Sequence, residues 1–326
     1  MTARRDGVVL HVTNGDCAAD RIAGANTGGE VLPWRDVLHE GPVPAGLDDR
    51  GLRAARAEFL GGDAADRARV LAGLEERDAS LDSAAAASGG EIVLWFEPDL
   101  YDQLQLLQVL ERLSRSEPKG VEVTAVESVA AIGDLDPAAI RELHAARSSL
   151  PADATELAAL AWRRFRDPDP TRFEALAARS TPSLPHLAPA IGRHLEELPA
   201  VGDGLSRSER QALEALSRGP LPAREAFVAA HHAREERVFL GDLVFYSYLD
   251  RLASGEHPLV SLSAGPARAD TVADLTDDGR RVLGGRADWI ELGGADRWLG
   301  GVHLEGRDAR WRWDPVAGRV VHLPTR

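Results

Sequence analysis

Short apolar segments alternate with helical segments through the first 127 residues, and this alternation restricts the possible folds more than any other feature of the sequence. The apolar segments are Val8–Thr13, Gly29–Trp34, Glu91–Phe96 and Val121–Glu127. Leucines at positions 100, 104, 107 and 110 give the segment 99–114 one apolar face, as in an amphipathic helix. Strands that alternate with helices form mainly parallel sheets. The sequence therefore predicts an α/β fold with a mainly parallel, Rossmann-like sheet.

The remainder of the chain has a different pattern. Helical segments occupy about 137–146, 153–165, 170–178 and 187–198. From Leu205, three helical segments precede an extended segment, a turn and a return strand, which is the element order of a winged helix. Ser206 and Glu209 have the spacing of a capping box, and period-two alternation near the end predicts β-hairpins. We expect an α/β ligand-binding domain (1–135), a helical linker region (136–203), and a winged-helix-like domain with C-terminal β-hairpins (204–326).

Chain length, apolar runs and cysteine content restrict the cellular compartment and the kinds of partner that we expect. A chain of 326 residues is long for one core, it has no apolar run of signal-peptide or membrane-span length, and its single cysteine, Cys17, excludes an intrachain disulfide. These features predict a cytoplasmic protein without a membrane partner, and they leave the oligomeric state open.

Charge is unevenly distributed along the chain. Residues 1–204 contain 21 basic and 34 acidic residues, whereas residues 205–326 contain 17 arginines and 18 acidic residues. Contact with nucleic-acid phosphates needs a positive surface. Nucleic-acid binding is therefore expected only through the C-terminal domain, if at all, and a small-molecule ligand is the expected partner of the first domain.

Several motifs carry a resemblance to a known family. "HVTNGDCAA" (11–19), "GEVLPWRDVLHEGPVP" (29–44) and "LWFEPDLYDQLQLLQVL" (94–110) together resemble the bacterial domain-of-unknown-function family 1835. "GLSRSERQALEAL" (204–216), "FLGDLVFYSYLDRLA" (239–253) and "LTDDGRRVLGGRADWIELGGADRWLGGVHL" (275–304) are similar to the region that often accompanies it. The resemblance covers nearly the whole chain and implies no reaction, because the family is named for having no established function. The family pattern places a histidine where this chain has Pro98.

Polar residues follow each predicted strand. In an open parallel sheet, ligands bind where loops leave the carboxyl ends of the strands. We therefore expect a ligand site there, for a small polar or phosphorylated, nucleotide-like molecule. The candidate ligand-binding residues are Thr13, Asn14, Gly15, Asp16, Trp34, Asp36, His39, Glu97, Asp99, Tyr101 and Gln103.

The predicted crevice is rich in carboxylates. Up to six lie near it against Arg35 and His39, and such a pocket would repel bare phosphate. A divalent cation, Mg²⁺ or Mn²⁺, held by Asp16 and Asp99 would relieve the repulsion. Alternatively, one carboxyl has a raised pKa and acts as a general acid, with Asp102 and Glu40 as the candidate catalytic residues. Whether the protein is an enzyme is left open.

Each of these residues also has a structural interpretation. Asp99 fits an N-cap, Asp102 favours the helix dipole, and Asn14-Gly15-Asp16 is a turn sequence. Arg297 lies on a glycine-flanked hairpin that could close over the crevice and add positive charge.

The alternative function is a ligand-responsive transcriptional regulator that uses the winged-helix-like domain. A basic patch formed by the four arginines at 207, 210, 234 and 237 would favour DNA binding. Burial of the apolar segment "LVFYSYL" (243–249) would instead favour the ligand-binding or enzyme-like function.

Overall fold

The structure is a computed structural model that describes residues 8–116 and 120–324. The chain divides into two compact units. The first consists of Met1–Ala190 with Gly300–Val302, and the second of Ile191–Leu299 with His303–Arg326. Within the described ranges, no helix combines the length and the apolar character needed to cross a membrane.

The first unit contains the predicted strand–helix alternation. Its strands are β1 (Val8–Thr13), β2 (Glu30–Pro33), β3 (Gly41–Pro42), β4 (Gly90–Trp95), β5 (Glu122–Val126) and β6 (Ser148–Ser149). Its helices are α1 (Asp16–Gly24), α2 (Asp49–Leu60), α3 (Ala64–Ala85), α4 (Leu100–Ser116), α5 (Pro137–Ala146), α6 (Ala154–Phe165) and α7 (Thr171–Ala177). The chain passes into the second unit within α8 (Leu187–Leu195).

The main sheet has the strand order β2-β1-β4-β5-β6. β2, β1, β4 and β5 are parallel, and only the short β6 runs antiparallel to its neighbour. The predicted mainly parallel α/β sheet is confirmed. Thr13 lies opposite both Pro33 and Trp95, and Trp95 lies opposite Val126. Four strands therefore end at one level, which brings the loops that follow them to a common edge.

Helices cover the sheet through apolar contacts. Val93 and Trp95 of β4 pack with Ile22 of α1 and Ile140 of α5 in one buried cluster. α3 contacts β1, β2 and β4. Its buried face follows helical spacing through Leu74, Arg77, Asp78, Leu81 and Ala85. An arginine and an aspartate thus occupy positions that the helical period assigns to the core.

The second unit begins its regular structure with the predicted cap. Ser206 and Glu209 form the capping box, so this prediction is confirmed. The helices are α9 (Arg207–Leu216), α10 (Ala223–Phe227) with a π-helical continuation over Val228–His232, α11 (Asp242–Leu252), α12 (Asp277–Leu283) and α13 (Trp289–Gly293). The strands are β7 (Leu221–Pro222), β8 (Val260–Leu262), β9 (Val272–Leu275), β10 (Ala295–Gly300), β11 (Val302–Gly306), β12 (Trp311–Asp314) and β13 (Arg319–His322).

The second unit contains an antiparallel sheet and two pairs of strands near the end of the chain. β7, β9 and β8 form an antiparallel sheet in that order, next to α9, α10 and α11. Near the end of the chain β10 pairs with β11, and β12 pairs antiparallel with β13. The predicted C-terminal β-hairpins are therefore confirmed.

Candidate functional site

A cavity of about 650 Å³ lies where β1 and β2 end, and we call it the edge cavity. Four residues of the predicted site line it: Gly15, Asp16, Asp36 and Tyr101. Gly15 and Asp16 come from the β1–α1 junction, Asp36 follows β2, and Tyr101 lies in the first turn of α4. A cavity of ligand size therefore lies at the edge of the sheet where the sequence predicts a ligand site.

The first turn of α1 points positive backbone dipoles towards this edge. Gly15 is the N-cap residue in an extended conformation, and no side chain caps the helix. The Asp16 carboxylate instead accepts hydrogen bonds from Arg35, with Nε 2.9 Å from Oδ1 and 3.1 Å from Oδ2. This bonding to Arg35 lowers the pKa of Asp16. The charge of Asp16 is thus neutralised by a neighbour, and the N–H groups of the helix start are left without a side-chain acceptor.

Asp36 is buried, with 2% of its surface exposed, and it lies between two arginines. Its Oδ1 accepts hydrogen bonds from Arg56 Nε at 2.9 Å and Nη2 at 2.7 Å. Its Oδ2 has no hydrogen-bond partner among the described residues. Arg77 Nη1 lies 4.0 Å from Oδ2 and also lacks a hydrogen-bond partner among the described residues. Two buried, oppositely charged atoms therefore face each other across a gap too wide for a hydrogen bond.

Arg77 is held at this position by its other contacts. Its Nε and Nη2 donate to Asp78 Oδ1 at 3.1 and 2.8 Å. Its guanidinium lies 3.9 Å from the centre of the Trp34 ring. Trp34 is fully buried and donates from Nε1 to Gln108 Oε1 at 2.8 Å. Trp34 therefore supports Arg77 and does not line the edge cavity.

Three carboxyl groups cluster where β4 leads into α4. Asp99 Oδ1 accepts from the Asp102 backbone N at 3.1 Å, so the predicted cap is confirmed. Asp102 is fully buried; its Oδ1 accepts from Asn14 Nδ2 at 2.7 Å and its Oδ2 from the Glu97 backbone N at 2.5 Å. Asp102 thus ties the loop after β1 to the loop after β4.

Burial raises the pKa values of these carboxyl groups. The pKa of Asp99 is raised to about 7, first by burial and then by the charge of Glu97. Burial and the neighbouring Asp99 raise the pKa of Asp102 well above its ordinary value, and burial raises that of Glu97. This cluster can therefore retain protons near neutral pH, as the general-acid hypothesis requires. None of the three carboxyl groups lines the edge cavity, however.

Gln103 and Tyr101 belong to the same hydrogen-bonded group. Gln103 Nε2 donates to the Glu97 carbonyl oxygen at 2.9 Å, and the Tyr101 hydroxyl donates to the Asn14 carbonyl oxygen at 3.3 Å. Burial raises the pKa of Tyr101. Of this group only Tyr101 also lines the edge cavity, so its neighbours support the cavity wall from behind.

The remaining predicted residues of the first unit are buried. Thr13 is fully buried, and its carbonyl oxygen accepts from the Trp34 backbone N at 2.6 Å. His39 is buried with its ring edge-on to Tyr101, at a centroid distance of 5.8 Å. Glu40 is buried, and its carbonyl oxygen accepts from Arg56 Nη1 at 2.8 Å. None of these three residues lines the edge cavity.

Arg297 belongs to the second unit. It is buried there, and its Nη2 donates to Glu197 Oε2 at 2.9 Å and to the Tyr248 hydroxyl at 3.1 Å. Its charge is therefore compensated within its own unit, and these contacts give no indication that it serves a ligand.

The sequence analysis missed the positive charge at the sheet edge. Arg69 and Arg77 of α3 line the edge cavity together with Arg35, against only two acidic residues, Asp16 and Asp36. The predicted excess of carboxylates is therefore wrong for this cavity. A usable signal was present, since Arg77 and Asp78 interrupt the leucine face of α3.

The predicted metal ligands are bound by other groups. Among residues 8–116 and 120–324, no group of three or more His, Cys, Asp or Glu side chains could hold a metal ion. Both oxygens of Asp16 accept from Arg35, and Asp99 caps α4. Neither Asp16 nor Asp99 therefore belongs to a cation-binding group within the described part of the chain.

Comparison with known proteins does not assign the chain to a family. No protein-family model and no curated protein sequence matches the chain. The resemblance to family 1835 stays a prediction, and the function is argued from the geometry of the site.

Proposed function

We propose that the first unit binds a small phosphorylated molecule in the edge cavity. The observation that carries this proposal is the pair of buried atoms on its wall, Arg77 Nη1 and Asp36 Oδ2, which lack hydrogen-bond partners among the described residues. Buried charged atoms without a hydrogen-bond partner cost free energy, and here that cost falls on the wall of the cavity. The Arg77 guanidinium gives this wall positive charge, and a phosphate in the cavity would be attracted to it.

The electrostatics of the cavity favour an anion. Three arginines line it against two aspartates. All of these residues are ion-paired, Arg35 with Asp16, Arg69 with Asp66 and Arg77 with Asp78, so the carboxylates that balance Arg69 and Arg77 lie outside the cavity lining. The first turn of α1, without a side-chain cap, adds backbone N–H donors on the same wall at Gly15 and Asp16. A volume of about 650 Å³ lies within the usual range for small-molecule sites, which is roughly 300–1,000 Å³.

The carboxyl cluster at α4 has a positioning role in this proposal. Asp102 holds Asn14, and Asn14 directly precedes the Gly15 that begins the cavity wall. Asp102 and Glu40 are therefore proposed as supports of the site and not as groups that contact the ligand. Participation of Mg²⁺ or Mn²⁺ is tested as a separate condition, because a phosphorylated ligand could bring the cation with it.

Cavity-filling substitutions on α3 test the proposal. Gly73 lines the edge cavity, and a Cβ atom added there meets no heavy atom within 4 Å. Gly73→Phe and Val70→Trp should therefore fill the cavity while α3 keeps its fold. Ala72→Phe is the matched control, because Ala72 is exposed on the same helix and does not line the cavity.

The assay is thermal unfolding of the purified chain with inorganic phosphate, sugar phosphates and nucleotides, each with and without Mg²⁺ or Mn²⁺. A ligand at 100 times its dissociation constant should stabilise the native state by about 2.7 kcal/mol. We expect this stabilisation in the wild type and in Ala72→Phe, and its loss in Gly73→Phe and Val70→Trp. Stabilisation that survives in both cavity-filling variants would place the ligand elsewhere.

A second candidate function is a ligand-responsive regulator that binds DNA through a winged-helix-like domain. It is supported by the chain order α9–β7–α10–α11–β8–β9 together with the sheet order β7-β9-β8, which is the arrangement of helices and wing in such domains.

The side chains of that region favour the ligand-binding function instead. Phe245, Tyr246 and Tyr248 of α11 are buried, but Leu243 is 76% exposed, so only part of the segment 243–249 has the burial that the ligand-binding hypothesis expected. Arg207 pairs with Glu196 and Glu235, and Arg210 and Arg234 are likewise ion-paired. We therefore expect no binding of random-sequence duplex DNA in fluorescence anisotropy at low salt. Submicromolar, salt-dependent binding that responds to the small ligand would favour the regulator.

A further inference from the structure

A second cavity, of about 530 Å³, lies among α2, α3, α4 and the end of α6, and we call it the arginine cavity. Among the described residues, seven arginines and five acidic residues line it. It shares only Asp36, Leu74 and Arg77 with the edge cavity. The remaining arginines come from other elements, so the positive charge of this cavity has a separate origin.

Much of this charge is compensated by carboxylates of the cavity wall. Arg53 Nη1 is 2.9 Å from Asp78 Oδ2. Arg112 Nη1 is 2.9 Å from Asp49 Oδ2 and 3.1 Å from Asp78 Oδ2. Arg115 also contacts Asp49, at 3.1 Å. These pairs fix the arginine side chains in place, which reduces the conformational entropy that binding would cost.

Two arginines of the wall have no carboxylate partner among the described residues. Arg166 donates from Nε and Nη2 to the Pro44 carbonyl oxygen at 3.1 and 2.8 Å, and from Nη2 to the Leu47 carbonyl oxygen at 2.8 Å. Arg50 is exposed at the start of α2 and forms no ion pair within that part of the chain. Carbonyl oxygens orient the Arg166 guanidinium without neutralising it, and burial lowers its pKa.

The buried part of the wall is built from charged groups. Arg56, Arg77 and Asp78 are each more than nine-tenths buried and line the cavity. Arg77 Nη1 and Arg53 Nε are buried without a hydrogen-bond partner among the described residues. A wall of this kind has fixed, buried charges at its base and, at its rim, guanidinium charge without an ion-pair partner in the described part of the chain.

The aromatic residues of the cavity are covered by cations. The Arg77 guanidinium lies over the Trp34 ring at 3.9 Å, and that of Arg166 lies over the Trp162 ring at 5.9 Å. Both indoles are buried. A ligand would therefore meet guanidinium groups and not the faces of the aromatic rings. This surface favours a compact polyanion over an aromatic base.

We propose that the arginine cavity is a second anion site, which takes a compact polyanion carrying two or more phosphate or carboxylate groups. Arg166 and Arg50 would bind its anionic groups, and the buried arginines would provide the base of the site. This site is independent of the ligand proposed for the edge cavity, because its uncompensated arginines do not line that cavity.

Isothermal titration calorimetry of the full chain tests this proposal with pyrophosphate, citrate and single phosphate as probes, at ionic strength matched with KCl. The variants are Arg166→Gln and Arg50→Glu. Arg166→Gln removes the contacts with the Pro44 and Leu47 carbonyl oxygens, so Arg50→Glu provides a second test if that loss impairs folding. Arg163→Glu is the matched charge control, since Arg163 is exposed on α6 and does not line the cavity. Gly73→Phe distinguishes the two cavities.

We expect pyrophosphate or citrate to bind the wild type more tightly than single phosphate does. Binding should weaken at least tenfold in Arg50→Glu and in folded Arg166→Gln, and should be unchanged in Arg163→Glu and Gly73→Phe. Whichever of pyrophosphate and citrate binds more tightly shows whether the site prefers phosphate or carboxylate groups. The proposal is overturned if neither polyanion binds at millimolar concentration, or if Arg163→Glu weakens binding as much as Arg50→Glu does. Loss in Gly73→Phe alone would assign the polyanion to the edge cavity and also overturn it.

Discussion

Asp99→Asn should stabilise the first unit at alkaline pH and leave it unchanged at acidic pH. Asp99 is buried next to Glu97 and Asp102, and its pKa is raised from 3.8 to about 7. Asparagine has almost the same shape and can still accept the hydrogen bond from the Asp102 backbone N, so the cap of α4 is retained. The substitution therefore removes the ionisation of Asp99 and, with it, the part of the upward shift in the Asp102 pKa that the Asp99 charge causes.

The sign and size of the effect follow from proton linkage. Between about pH 4 and pH 7 the native state holds a proton on Asp99 that the unfolded chain has released, so stability falls as pH rises through this window. Each pKa unit corresponds to about 1.4 kcal/mol, and the shift of roughly three units makes the full cost about 4 kcal/mol above pH 7. Asp99→Asn should recover up to that amount at pH 8 and nothing at pH 4.

Urea unfolding at pH 4.5, 6 and 8 measures this difference. Hydrogen exchange on peptides of β4 and α4 reports the first unit without interference from the second. Asp63→Asn is a suitable control, because Asp63 caps α3 in the same way, through the Asp66 backbone N at 2.9 Å, and is exposed. Parallel pH profiles for wild type and Asp99→Asn would refute the reasoning, as would a variant that is less stable than the wild type at pH 8.

Three further substitutions test contacts that hold the site and the second unit. Arg56→Met leaves Asp36 buried without its partner and should lower the free energy of unfolding by about 3–5 kcal/mol in urea denaturation; a loss below 1 kcal/mol would show that the pair is not buried as described. Asn14→Ala removes the donor to Asp102 Oδ1 and should cost about 1–3 kcal/mol, with faster hydrogen exchange in the first turns of α1 and α4. Ser206→Ala removes the capping box of α9 and should cost about 0.5–2 kcal/mol in thermal unfolding, with no change in ligand binding by the first unit.

The elements of the first unit could be predicted because their signals are local. The apolar segments, the leucine spacing of α4 and the capping sequences each depend on residues close together in the chain. The edge of the sheet at which the edge cavity lies could also be predicted, since parallel strands bring the residues after β1 and β2 to one level. Gly15, Asp16, Asp36 and Tyr101 were placed at the edge cavity on this reasoning.

The charge of the site could not be predicted from the same patterns. Asp36 meets Arg56 and Arg77 only because α2 and α3 fold back over the loop after β2, and the two arginines follow Asp36 by 20 and 41 residues in the sequence. Strand periodicity contains no information about such pairing. The role of Asp102 was open for a similar reason, because its partner Asn14 is 88 residues away in the sequence.

The net charge of a domain does not determine the sign of its cavities. Residues 1–204 contain 13 more acidic than basic residues, yet arginines outnumber acidic residues in the edge cavity and in the arginine cavity. Polyanionic nucleic acid responds to the charge of an extended surface, whereas a small anion responds to the few groups within hydrogen-bond distance. An acidic α/β unit can therefore reject nucleic acid and still bind a phosphorylated metabolite, and buried arginines such as Arg56 and Arg77 are the residues that separate these two properties.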